Sequence, residues 1–173
     1  MHERSVTRGS SRGLVSSLMA STCFAVACTA PPPPAAATGP RIRFTAAEPG
    51  QVEPLVQRFT HSARDSGREP LVYVGATWCE PCRYFHDAAE RGDLDQALPR
   101  LDLLEFDRDR DGARLEAAGY SSRMIPLFVV PNPDGRGTAR RIEGSIHGPG
   151  SPQEIAPRLR ALLDPRPPDE TSR

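Results

Sequence analysis

Cys79 and Cys82 lie two residues apart in the stretch Trp78-Cys79-Glu80-Pro81-Cys82. Thiols at that spacing can do redox chemistry. On a helix, positions i and i+3 share a face, and their Cα atoms fall within the roughly 4.4–6.8 Å that a disulfide spans. The pair can therefore close and open without moving the backbone. If Cys79 begins the helix, the free N–H groups and partial positive charge of the helix start stabilise its thiolate and make it the attacking sulfur. Cys82, one turn in, is expected to be the shielded, resolving thiol. Pro81 fits the first turn, where its missing N–H costs little.

Three other uses of the pair are weighed against this. A structural zinc site needs four ligands; no second Cys-x-x-Cys exists, and His86, four residues after Cys82, still leaves one ligand lacking. Covalent haem attachment requires His directly after the second Cys, where this chain has Arg83. A static disulfide between residues so close would constrain the unfolded chain little. The expectation is a redox pair with no metal and no cofactor.

The elements that must position the pair surround it. Residues 70–76, Pro-Leu-Val-Tyr-Val-Gly-Ala, form a short apolar, β-branched run ending just before the cysteines, which predicts a strand feeding a helix across a tight turn. A strand followed by Trp-Cys-x-Pro-Cys and a long helix resembles the thioredoxin family, and the resemblance covers roughly residues 68–163. It implies an α/β thioredoxin-like fold, a central mixed β-sheet flanked by helices, within a domain over residues 41–164. It also implies thiol–disulfide exchange with a disulfide-bearing protein substrate and an upstream thiol electron donor. Catalysis falls on Cys79 and Cys82, with Trp78, Glu80 and Pro81 in support. Ile125-Pro126 opens the apolar run to Val130 and matches the position where the family has a residue before a cis-proline facing the site. Both are expected to offer backbone polar groups to a substrate segment that adds as a strand.

One position departs from the family. Thioredoxins carry a buried Asp six residues before the first Cys, where it moves the resolving thiol's proton; here that residue is Tyr73. A phenol with an ordinary pKa of about 10 is a poor base near neutral pH. Glu80 is the carboxylate that the sequence places to substitute, or else an exposed loop charge. Cys-Glu-Pro-Cys is similar to the motif of membrane-tethered thioredoxin-like proteins of cytochrome c maturation. The layout after it, with Arg83 and Phe85, is similar to the C-terminal domain of periplasmic disulfide reductases. Both imply reduction in an oxidising compartment. A non-catalytic thioredoxin-fold lipoprotein, binding a partner with its disulfide held closed, is the alternative.

Arg4, Arg8 and Arg12 precede an apolar run, Leu14 to Ala27, too short to span a bilayer and suited to a signal peptide over residues 1–27. Its end, Ala25-Val26-Ala27-Cys28, resembles the bacterial lipoprotein processing box, with Ala25 where Leu is usual. That implies lipidation of Cys28, a membrane contact through the lipid, and a place in the bacterial cell envelope facing the periplasm. Cleavage after the same Ala-x-Ala with Cys28 left free, or a cytosolic protein, are the alternatives. Residues 28–40 are Pro/Ala-rich and read as a semi-extended tether, and 165–173 as a disordered tail.

Of the 173 residues, 22 are basic, all of them Arg, against 22 acidic. That balance, with no basic stripe among aromatics, argues against nucleic acid. Hydrophobic content of 38% suits one globular core plus unstructured length. Asp107, Asp109 and Asp111 before Gly112 mimic the start of a calcium loop, but its twelfth position would be Ala118; interleaved Arg108, Arg110 and Arg114 favour a solvated helix start.

An edge strand near 41–44, a helix over 50–65 ending at Gly67, a helix from Cys79 to Arg91 and a short segment capped by Asp93 are expected. A buried strand over 101–107 and a helix stopped by Gly119 follow. Next come a hairpin joining 127–130 to 138–143 and a last helix opened by the capping box Ser151-Pro152-Gln153-Glu154.

Overall fold

The computed structural model describes residues 40–164. The expected leader, Cys28, nearly all of the expected tether and the expected tail lie outside them. The described chain is a mixed α/β fold whose elements run β1 (Ile42–Ala46), α1 (Val52–Asp65), β2 (Glu69–Gly75), α2 (Glu80–Glu90), β3 (Leu101–Asp107), α3 (Arg108–Ala117), β4 (Leu127–Val129), β5 (Arg141–Glu143) and α4 (Ser151–Leu163). Five strands form one sheet in the order β1-β3-β2-β4-β5. β3 is parallel to β1 and β2, whereas β4 is antiparallel to both β2 and β5. The central strands carry apolar side chains on both faces because both faces are covered.

Strand alternation divides the core in two. Leu71 and Tyr73 of β2, with Leu101 and Leu103 of β3, pack with Phe85 and Ala88 of α2 and Ile155 and Leu159 of α4. Val72 and Val74, with Leu104 and Phe106, pack with Val52 and Val56 of α1 and Leu115 of α3. The cysteines belong to the first cluster.

Several expectations are corrected. Asp93 caps no helix: residues 91–97 are successive turns, and its carboxylate pairs with Arg91. The hairpin strands are shorter than expected, and the connection between them reaches α1 through Gly135 and Arg136, which meet Glu53. Gly135, at φ +82°, lies so close to the Glu53 carbonyl that a Cβ there would stand 2.1 Å from it, and its own carbonyl accepts from the buried Tyr120 hydroxyl at 2.8 Å. Ser151 is not a cap. It lies in the first turn of α4 behind Gly150, its hydroxyl buried, while Glu154 turns to the Ser145 hydroxyl and Arg158.

The acidic cluster caps α3 rather than forming a calcium loop. Asp107 accepts from the N–H groups of Asp109 and Arg110. Asp111 is buried rather than solvated. Burial alone would raise its carboxyl, but hydrogen bonds from Arg110, the Asp107 N–H and Arg114 hold it below the usual carboxylate range. No helix among the described residues is long and apolar enough to cross a membrane.

Candidate functional site

β2 ends at Gly75, and a short turn delivers Cys79 to the N-cap of α2, with its N–H donating to the Ala76 carbonyl at 3.1 Å. Glu80 and Pro81 open the helix and Cys82 completes its first turn. The two cysteines are disulfide-bonded, with Cα atoms 5.2 Å apart. The Cys79 sulfur accepts from the Cys82 N–H at 3.2 Å. That contact, an N–H of the helix start aimed at Cys79, is the kind that favours a thiolate there once the disulfide opens. The expected contrast in exposure is absent from the disulfide form: Cys79 is 4% exposed and Cys82 3%.

Trp78 is not a core residue. It is 61% exposed, and its indole N–H donates to Asp109 at the start of α3. Ile125, joined to Pro126 by a cis bond, packs against the cluster that holds both cysteines. Pro126 is buried and its carbonyl already accepts from the Gly144 N–H at 2.9 Å, so it has less to offer a substrate strand than the sequence suggested. Met124 and Ile146, both exposed, lie beside this segment and beyond Gly144.

Glu80 pairs with the exposed His147 at 2.8 Å. The group beneath Cys82 is a different one. A cleft of about 430 Å³ is lined by Tyr73, Cys82, Arg83, His86, Glu105 and Asp107, among others. In it the His86 Nε2 and Glu105 Oε1 are 2.8 Å apart, and the His86 ring stacks on Phe44 at 3.8 Å between centroids. Tyr73 reaches along β2 so that its hydroxyl would meet a Cβ on Gly75 at 2.8 Å. Burial, with the Glu105 charge adding to it, pushes the Tyr73 phenol far above its ordinary range, which disqualifies it as a base at neutral pH.

Sequence reasoning considered His86 only as an incomplete zinc ligand and did not single out Glu105. Two signals were present. His86 follows Cys82 by one helical turn, and Glu105 falls in phase with Leu101 and Leu103, which pack in the cluster that holds the cysteines. No family model matches this chain, and no curated protein matches it.

Proposed function

We propose that the protein is a thiol–disulfide oxidoreductase of the thioredoxin kind, which reduces disulfides of exported proteins and is itself re-reduced by an upstream thiol donor. The observation that carries this reading is the Cys79–Cys82 pair at the cap of α2, with a helix-start N–H donating to the Cys79 sulfur. The mixed sheet that feeds this helix and the cis Ile125-Pro126 beside the cysteines support it. Export, lipidation at Cys28 and a periplasmic location belong to the same proposal and rest on the sequence.

Cys79 thiolate attacks a substrate disulfide, forming a mixed disulfide and expelling one substrate thiolate. Cys82 then attacks the Cys79 sulfur, expelling the second and leaving Cys79–Cys82 oxidised; two electrons pass to the substrate. The test is insulin reduction with dithiothreitol as donor, together with a glutathione titration. We expect catalysis and a potential nearer to about −270 mV than to about −120 mV. A value above about −150 mV would reverse the assigned direction. The burial of both cysteines favours a second reading, a partner-binding module with a permanent disulfide, and failure of dithiothreitol to reduce the folded protein would select it.

A further inference from the structure

The register of the sheet puts Ala46, Glu105, Tyr73, Phe128 and Ile142 in one row across all five strands. Tyr73 and Phe128 of this row are wholly buried, and the row lies on the face that α2 covers. Glu105 is its one charged member. A carboxylate facing inward on a sheet is costly unless it is paired, and its partner is His86, from the same helix face as Cys82 and one turn further on. Their side chains are 26% and 33% exposed, so the pair sits where the cleft still admits solvent.

We infer that the Glu105–His86 pair is the proton acceptor for the resolving thiol Cys82, in place of the carboxylate that Tyr73 replaces. This rests on the thiol–disulfide exchange proposed above. In the resolving step, the Cys82 S–H bond breaks as its sulfur bonds to Cys79. The proton passes to the pair, directly or over one water in the cleft, and the substrate thiolate departs with the electrons of the broken S–S bond. In the opposite direction the pair returns the proton to Cys82.

The other groups facing the cleft are otherwise engaged. Tyr73 of β2 is held protonated by burial. Asp107 at the end of β3 accepts two backbone N–H groups at the start of α3. From α3, Arg110 donates to Asp111. Arg83 of α2, which also lines the cleft, has its guanidinium over the Tyr84 ring. Strand β1 contributes Ala46 to the lining and Phe44 as the stacking surface for His86, neither of which titrates.

The two chemical steps can be timed separately, with the fluorescence of the single tryptophan, Trp78, which adjoins Cys79, as the readout. Attack is measured by stopped flow with oxidised glutathione on Cys82→Ser, with and without Glu105→Gln. Resolution is measured on the full cysteine pair. Glu105→Gln is expected to leave attack within about twofold and to slow resolution at pH 7 by about 10²-fold, the usual worth of a positioned base. It should also replace the inflection in the pH profile of resolution with a simple rise with hydroxide. Added formate should restore the rate of Glu105→Gln in proportion to its concentration, which a structural role for Glu105 would not permit. His86→Gln, which keeps a hydrogen-bonding side chain but cannot titrate, should shift the same inflection without affecting attack.

An unchanged resolution rate and pH profile in Glu105→Gln, or equal slowing of both steps without formate rescue, overturns the inference while leaving the redox function intact. A wild-type protein whose reduced form exchanges with no disulfide refutes both.

Discussion

Asp102 of β3 is the sharpest test of how the sheet holds its edge. It is 7% exposed, and its Oδ1 accepts from the Nε of Arg43 of β1 at 2.7 Å and from the Nε of Arg68. The Arg68 side chain is 1% exposed, and one of its terminal nitrogens also donates to the carbonyls of Pro40, Arg41 and Leu101. Its other terminal nitrogen is buried without a partner. Replacing Asp102 with Asn keeps the shape and removes the charge that compensates Arg68.

Breaking a buried pair in this way costs about 3–5 kcal/mol, whereas the exposed half of the cluster, Arg43, adds little. For a domain of this size, that corresponds to a fall in Tm of about 10–20 °C. Urea unfolding followed by circular dichroism measures it directly. Burial alone would raise the Asp102 carboxyl, but hydrogen bonds from Arg43 and Arg68 and their charges hold it below the usual range. Its contribution is therefore complete at neutral pH and is lost as the pH falls below the unfolded value of about 4 toward the lower folded one. The stability gap between wild type and Asp102→Asn should close over that window. A gap under about 1 kcal/mol at pH 7, or one that widens in acid, would refute the reasoning.

Two further outcomes follow from the proposed function. Cys82→Ser should accumulate mixed disulfides, seen as dithiothreitol-sensitive bands of higher mass, and Cys79→Ser almost none; equal or inverted trapping would show the order of attack and resolution to be wrong. Cys28 lies outside the described residues, but its processing box predicts a membrane-fraction protein starting at Cys28 with a diacylglyceryl-sized mass increase that Cys28→Ala abolishes. A soluble product with an intact N-terminus would exclude it.

Much of the fold was legible in the sequence because its signals are local. The strand before the cysteines, the helix after them and the helices ending at Gly67 and Gly119 follow from hydrophobic period and from residues that adopt positive φ, +64° and +83° in these two cases. The i, i+3 spacing of Cys79 and Cys82 already contained the disulfide geometry, since both sulfurs belong to one helical turn.

Other features are set by packing between segments far apart in the chain. Ser151 has the sequence of a cap, yet burial of its hydroxyl and the pull of Ser145 and Arg158 on Glu154 take both residues out of the capping box. Trp78 belongs to no core because α3 offers its indole an acceptor, Asp109, at the surface. Glu80, beside the cysteines in sequence, pairs with the exposed His147. Glu105 reaches the cleft beneath Cys82 because parallel pairing sets it opposite Tyr73. Local sequence can say that a carboxylate shares a face with two leucines. Only the register between β2 and β3, decided by which apolar side chains interlock on both faces of the sheet, determines that this face is the one beneath the disulfide.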